Sequence, residues 1–214
     1  MKKDSAVRIL PIVLIFAVLF FSAHLSSLSA KDGRTTILII GDSLSAGLGV
    51  TPEQAYPSLL QNKLAENGKD GINIINGSIS GSTSAGAYSR LKWYLRAEPD
   101  LLILALGAND GLRGLSVDLM RQNLEKAVEL ARDNQIPVIL AGMRLPPNYG
   151  PDYAQAFENS FAELSKKHDL PFIPFLLKNV AGRPALNQAD GIHPNAQGHK
   201  IIAETVFPIL MEHL

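Results

Sequence analysis

The chain has 214 residues, in which 20 lysines and arginines balance 20 aspartates and glutamates. The length suits one domain of about 180 residues behind a short leader. The even charge is not the basic field of a nucleic-acid-binding protein, nor the acidic excess of a disordered chain, so we expect no nucleic-acid partner. Cysteine is absent, which excludes disulfides, a thiol nucleophile and a thiolate metal site.

The amino terminus has the pattern of a secretory signal peptide. Basic residues precede an apolar run over residues 9–21, and small and polar residues follow it. That run is shorter than the roughly 20 residues that span a bilayer. We expect residues 1–30 to be a cleaved leader and residues 31–214 to form a periplasmic or secreted domain without a stable membrane span. An uncleaved anchor is the alternative, and the cleavage site stays open.

Short aliphatic runs after the leader predict five strands. The predicted strands are residues 37–40, 72–75, 101–106, 138–141 and 172–173. The first run, from Ile37 to Ile40, has no polar residue, which is typical of a strand buried on both faces. The strands alternate with helical segments and short turns, a pattern that favours right-handed β-α-β units. The predicted fold is a three-layer α/β/α domain with a parallel, flavodoxin-like sheet.

Apolar residues at helical spacing and capping residues locate the helices between these strands. The first helix is predicted to start at Thr51-Pro52, where threonine, proline and Gln54 have capping-box spacing. Later helices are predicted with Tyr88, Leu91 and Leu95 on a buried side, over residues 116–134, around Phe157 and Phe161, and from Pro194 onward with Pro208 kinking or ending the last one.

Three turns of small residues follow the first three strands. Ser43 comes after the first strand, residues 77–84 after the second, and Asn109 after the third. The carboxyl ends of parallel strands share one edge of the sheet, where ligands bind in such folds. We expect Ser43 to be an exposed nucleophile there. Taken alone, Asp42 and Ser43 also suit a turn or helix cap.

A candidate base for Ser43 lies near the carboxyl terminus. Asp190 precedes His193 by three positions, and Gly191 between them permits a tight turn. The Asp190 carboxylate can then hold the imidazole Nδ1 and leave Nε2 to take the serine proton. Serine needs such a base to become a nucleophile. The predicted triad is Ser43, Asp190 and His193.

The tetrahedral intermediate of ester hydrolysis needs donors for its oxyanion. We expect the backbone N–H groups of Ser43 and Gly81 and the side-chain amide of Asn109 to supply them. The alternative for Asn109 is an Asx turn that caps its own segment. Leu145, Pro146 and Tyr149 lie in a loop rich in turn formers. We expect that loop to form one wall of an apolar acyl groove, the alternative being a packed surface loop.

Four blocks of the chain resemble the motifs of the GDSL (SGNH) hydrolases. The blocks are Gly41-Asp-Ser-Leu44, Ile79-Ser-Gly81-Ser-Thr83, Gly107-Ala-Asn109-Asp110 and Asp190-Gly-Ile-His193-Pro194. The resemblance implies serine, glycine, asparagine and histidine of these blocks as site residues. Residues 111–114 and 144–150 resemble the bacterial thioesterase, lysophospholipase and arylesterase members. This similarity implies hydrolysis of acyl-CoA, aryl and other carboxylic esters and lysophospholipids, without cofactor or metal; we expect a monomer.

Three other functions compete with this one. A lipase-type α/β-hydrolase has the same Ser, Asp, His order, but its Gly-x-Ser-x-Gly elbow is missing because Ser45 stands at the second glycine position. A flavodoxin-like nucleotide or phosphate binder would use residues 41–49 as an anion loop, but the dinucleotide fingerprint and the P-loop lysine are both missing. A carbohydrate O-acetylesterase of the same fold is the enzymatic alternative.

Overall fold

A five-stranded parallel sheet forms the centre of the fold. The computed structural model describes residues 34–214, and the predicted leader lies outside them. The strands are β1 (Thr35–Gly41), β2 (Ile72–Asn76), β3 (Leu101–Ala105), β4 (Val138–Ala141) and β5 (Phe172–Ile173). Their order is β2-β1-β3-β4-β5, and every neighbouring pair is parallel. This is the flavodoxin-like order, so the predicted α/β fold class is confirmed.

Seven α-helices connect or follow the strands within residues 34–214. They are α1 (Ser43–Ala46), α2 (Tyr56–Glu66), α3 (Ala87–Tyr94), α4 (Ala108–Leu112), α5 (Val117–Asp133), α6 (Pro151–His168) and α7 (Ala196–Met211). The longer helices pack in two groups, α2 with α7, and α5 with α3 and α6. Strands β3 and β4 are buried along their whole length, because helices cover both faces of the sheet and make the outer two layers.

The register of the sheet brings the ends of neighbouring strands to one level. Gly41 of β1 pairs with Ala105 of β3, and Ile39 of β1 pairs with Asn76 of β2. The segments that follow these three strands therefore leave the sheet side by side. Strand β1 lies between β2 and β3, where the strand order reverses, and such a switch point opens a crevice at the carboxyl edge.

The helix predictions were correct for α5 and for α6, where Phe157 and Phe161 are buried, and they were wrong in detail for the other helices. Ser116 caps α5 by accepting the N–H of Leu119, as its position before the apolar pattern indicates. Tyr88 was predicted to be buried but is 42% exposed. On the short helix α3, Ala87 and Leu91 are the residues that face the core, and Tyr88 is about 100° around the helix from Ala87.

Prolines shift the ends of two helices from the predicted positions. The Thr51-Pro52 segment forms only a short 3₁₀ turn, and α2 starts at Tyr56. Asn195, not Pro194, caps α7 by accepting the N–H groups of Gln197 and Gly198. Pro208 does not end α7, which runs on to Met211. In residues 34–214, every helix is too short or too polar to cross a bilayer.

Candidate active site

The nucleophile turn, our name for residues 41–46 around the candidate nucleophile Ser43, follows β1 directly and is buried. Asp42 caps α1, its Oδ1 accepting the N–H of Leu44 at 3.0 Å, so the capping role considered for Asp42 is realised. Ser43 is the first residue of α1 and, contrary to the expected exposure, is only 8% exposed. A Cβ at position 41 would collide with the Ser45 side chain. Glycine is therefore required where the chain turns from the strand into the helix.

Buried hydrogen bonds from other segments of the chain hold this turn in place. The hydroxyl groups of Ser45 and Tyr56 are 2.8 Å apart and buried, and Asn76 donates its side-chain amide to the Ser45 carbonyl. Tyr56 N–H donates to Nδ1 of His199, a fully buried residue. Burial lowers the pKa of His199 to about 4 because it disfavours the charged imidazolium. His199 is therefore a neutral support of the turn.

The loop that carries His193 brings its imidazole to the nucleophile turn. His193 Nε2 lies 3.0 Å from Ser43 Oγ, and its Nδ1 lies 2.6 Å from Asp190 Oδ2. Because a carboxylate only accepts, Nδ1 carries the proton and Nε2 is the acceptor that faces the serine hydroxyl. Gly191 has φ +73°, a conformation that permits this tight loop.

Asp42 and Asp190, the two aspartates beside Ser43 and His193, have pKa values shifted in opposite directions. The backbone N–H of His193, its side chain and the N–H of Ile192 all donate to Asp190, and they lower its pKa to about 2. Burial raises the pKa of Asp42 to about 6, partly offset by the Leu44 N–H and the neighbouring Asn109 amide. Asp190 is thus firmly ionised at neutral pH, whereas Asp42 carries its charge at a cost in free energy.

The three predicted oxyanion donors come from the ends of β1, β2 and β3. Within residues 34–214, the N–H groups of Ser43 and Gly81 donate to no other group. Gly81 has φ +77°, which favours glycine. Asn109 Nδ2 donates one hydrogen to the Ser82 carbonyl at 3.1 Å, and its amide also lies beside the Asp42 carboxylate. The Asx turn considered for Asn109 does not form, since its side chain does not cap its own segment.

A mostly apolar cavity of about 600 Å³ adjoins Ser43, Asn109 and His193. Leu145 and Pro146 line it, together with Leu112, Phe175 and Leu177. Tyr149 is a correction, because it is not part of the lining. Its hydroxyl donates to the Leu112 carbonyl at 2.9 Å and so braces one wall from outside.

The lining residues Phe175 and Leu177 and the loop residue Gln188 could not be predicted from the sequence. Gln188 Nε2 donates to the Leu48 carbonyl at 2.6 Å and to the Pro194 carbonyl at 3.0 Å. These bonds join the loop that carries His193 to the segment that follows α1. No sequence pattern marks the contact of Gln188 with Leu48, since the two residues are 140 apart in sequence. In the described part of the chain, no group of three or more histidine, aspartate or glutamate side chains is placed to hold a metal ion.

The profile of the GDSL-like lipase/acylhydrolase family matches residues 39–201. The chain belongs to this family. Among curated proteins it is 41% identical over 184 residues to esterase TesA of Pseudomonas aeruginosa, covering 86% of this chain and 91% of that protein. It is 38% identical over 202 residues to an arylesterase of Vibrio mimicus, covering 94% and 98%.

Two further comparisons agree with this membership. The chain is 37% identical over 170 residues to thioesterase 1/protease 1/lysophospholipase L1 of Escherichia coli, covering 79% of this chain and 80% of that protein. A crystal structure of TesA superposes with a TM-score of 0.81 at 40% identity, covering 84% of this chain and all of that one. The chain is thus a member of a family of ester-hydrolysing enzymes with the fold described above.

Proposed function

We propose that this protein hydrolyses carboxylic esters and acyl thioesters through a covalent acyl-enzyme on Ser43. The observation that carries the proposal is the relay of two short contacts, Ser43 Oγ to His193 Nε2 at 3.0 Å and His193 Nδ1 to Asp190 Oδ2 at 2.6 Å. A serine hydroxyl becomes a nucleophile when a positioned base takes its proton, and the base keeps its tautomer when a carboxylate holds its other nitrogen.

The reaction has two halves. Ser43 Oγ attacks the substrate carbonyl carbon while its proton passes to His193 Nε2. The tetrahedral intermediate collapses, its bond to the alkoxide or thiolate leaving group breaks, and that group takes the proton from His193. Water then attacks the acyl-enzyme, giving one proton to His193, and the departing Ser43 Oγ takes it back as the carboxylic acid is released.

The negative charge on the carbonyl oxygen is greatest in the two tetrahedral states. The free N–H groups of Ser43 and Gly81 and the side-chain amide of Asn109 are the donors we assign to it. Loss of one such donor typically costs about 2.7 to 4 kcal/mol of transition-state stabilisation. No cofactor or metal enters this scheme, because all proton transfers run through His193.

The cavity supports an apolar acyl group as the recognised part of the substrate. Its walls include Leu112, Leu145, Phe175 and Leu177, and burying each methylene of a chain against such walls contributes about 0.8 kcal/mol. The relatives named esterase, arylesterase and thioesterase/lysophospholipase point to the same group of substrates. We assign aryl esters, acyl-CoA and lysophospholipids to this protein.

A carbohydrate O-acetylesterase is the alternative of the same fold. An acetyl group would leave most of a cavity of about 600 Å³ empty, and the apolar walls have few partners for sugar hydroxyl groups. The cavity therefore favours a longer acyl chain. The nucleotide-binding alternative has no supporting observation, since residues 39–201 match a hydrolase family.

We also propose that residues 1–30 direct the protein to the periplasm or the medium and that the mature enzyme is a monomer. Fractionation of producing cells tests the first statement, and retention of the activity in the cytoplasm would contradict it. Light scattering of the purified enzyme tests the second, and a stable dimer mass would contradict it.

The decisive experiment compares the purified protein with its Ser43→Ala variant on p-nitrophenyl esters and acyl-CoA thioesters of two to sixteen carbons. We expect kcat to fall by about 10⁴- to 10⁶-fold in the variant, and the wild type to prefer chains longer than acetyl. The matched control is Ser89→Ala, an exposed serine on α3, which keeps its activity. Equal activity of wild type and Ser43→Ala would disprove the acyl-enzyme, and an optimum at two carbons would favour the acetylesterase.

A further inference from the structure

Two of the assigned oxyanion donors stand on separate segments, and in residues 34–214 no backbone-to-backbone hydrogen bond joins these segments. Gly81 belongs to the turn after β2, and Asn109 belongs to α4 after β3. Within residues 34–214, all hydrogen bonds between residues 81–84 and residues 107–113 involve a side chain. The distance between the two donors therefore depends on a few side-chain contacts.

The strongest of these contacts is made by Asp110, which adjoins Asn109 in α4. Its Oδ2 accepts the backbone N–H of Ser84 at 2.8 Å, and its Oδ1 accepts the Ser84 hydroxyl at 2.6 Å. Ser84 is fully buried and Asp110 is 3% exposed. Hydrogen bonds to a carboxylate are roughly twice as strong as neutral ones, and water cannot replace them in a buried position.

Further hydrogen bonds around Ser84 determine the geometry of its contact with Asp110. Asn123 of α5 donates to Ser84 Oγ at 3.2 Å, so the serine hydroxyl has its own hydrogen directed at Asp110. Asn109 donates to the Ser82 carbonyl at 3.1 Å, two residues before Ser84. Asn109 and Asp110 of α4 thus hydrogen-bond to the turn after β2, through Ser82 and Ser84. Arg113 also donates to the Gly81 carbonyl, but from an exposed position where water competes.

We propose that Asp110 is a positioning residue that sets the geometry of the oxyanion hole by clamping Ser84. The inference rests on the proposed function, because it concerns the two donors assigned there. Asp110 does not line the cavity, so it acts on the reaction only through the placement of Gly81 and Asn109. Oxyanion donors work when they are preorganised at the position of the developing charge, and a displacement of about 1 Å can cost roughly 100-fold in rate.

The first test is Asp110→Asn in the purified full-length protein, assayed with a p-nitrophenyl ester. The amide keeps the shape and one acceptor, but its NH₂ group now faces one of the two Ser84 donors. We expect kcat to fall about 10- to 100-fold, with KM within about threefold of wild type, since the acyl cavity is untouched. The pH profile should keep its shape because the His193–Asp190 pair is unchanged.

A double-mutant comparison separates positioning from a general loss of stability. If Asp110 acts by placing the oxyanion donors, its loss should matter little once Asn109 is gone. The Asp110→Asn change should therefore lower kcat less in an Asn109→Ala background than in the wild type. Ser84→Ala is the second variant, which removes the hydroxyl half of the clamp and should give the same split between kcat and KM.

The matched control is Ser160→Ala, which removes another buried serine hydroxyl. Ser160 donates to the Phe157 carbonyl within α6 and is 4% exposed. We expect this variant to lower Tm with kcat unchanged. A folded Asp110→Asn and a folded Ser84→Ala that both keep kcat within twofold would overturn the inference. So would losses that multiply in full with Asn109→Ala. An active wild type with an inactive Ser43→Ala variant shows that such a result leaves the proposed function intact.

Discussion

The two halves of the candidate site are built in opposite environments. The nucleophile half, around Asp42 and Ser43, is buried and rests on a layer of hydrogen bonds beneath it. The histidine half is a loop in which the Asp190 side chain is 44% exposed. Burial raises the pKa of Asp42 to about 6, whereas hydrogen-bond donors lower the pKa of Asp190 to about 2.

This contrast assigns a different physical task to each half. The buried half supplies rigidity, and it keeps a carboxylate next to Ser43 at a cost in folding free energy. The loop half supplies a stable negative charge, since Asp190 accepts three hydrogen bonds from its own loop. Under the proposed mechanism, substitutions in the two halves should therefore have separable effects on stability and on activity.

Among substitutions that compare the two halves, Asp190→Asn should give the largest effect, and it should be on activity. The asparagine carbonyl can keep the backbone N–H bonds of the loop, but its NH₂ group would face His193 Nδ1 and favour the wrong tautomer. We expect kcat on a p-nitrophenyl ester to fall about 10²- to 10⁴-fold, with Tm within a few degrees of wild type. A loss of less than fivefold in a folded variant would show that the loop charge is not needed.

Asp42→Asn should raise the stability of the fold at neutral pH. The pKa of Asp42 is about 6 in the fold against an ordinary value of 3.8, so its burial destabilises the fold increasingly as pH rises from 3.8 to 6. Asparagine is an equally good helix cap. We expect the variant to be about 1 to 3 kcal/mol more stable than wild type at pH 7, and no more stable than wild type at pH 4.

Urea unfolding at the two pH values measures this difference. The matched control is Asp118→Asn, an exposed residue in the first turn of α5, which should change stability little at either pH. An Asp42→Asn protein that is less stable than wild type at pH 7 would contradict the sign of the effect.

Gln188→Ala should give the smallest effect, because Gln188 only joins the two halves. Its amide bonds to the carbonyls of Leu48 and Pro194 lie partly in solvent, and a typical hydrogen bond contributes about 0.5 to 1.5 kcal/mol. We expect kcat to fall a few-fold through a less defined position of His193, with little change in Tm. Gln197→Ala, an exposed residue on α7, is the control. Equal rates in both variants would mean that the loop holds its own position.

Local signals in the chain were sufficient to predict most of the fold. The apolar runs of β1 and β3 predicted strands within one or two residues of those observed, because a strand covered on both faces cannot tolerate polar side chains. Their alternation with helices determined a parallel sheet. The contact between Asp190 and His193 was equally local, since three residues and one glycine suffice to build it.

Long-range packing decided what local patterns could not. Tyr88 is exposed and Tyr149 lies behind the cavity wall, because the direction of each side chain depends on which neighbour covers it. The Asp110–Ser84 contact joins residues 26 apart in sequence, and neither residue type indicates a partner. By itself the sequence determined the strands, their alternation with helices and the local contact between Asp190 and His193. Only the tertiary structure decided the cavity walls and the clamp, since those depend on how separate segments meet at the edge of the sheet.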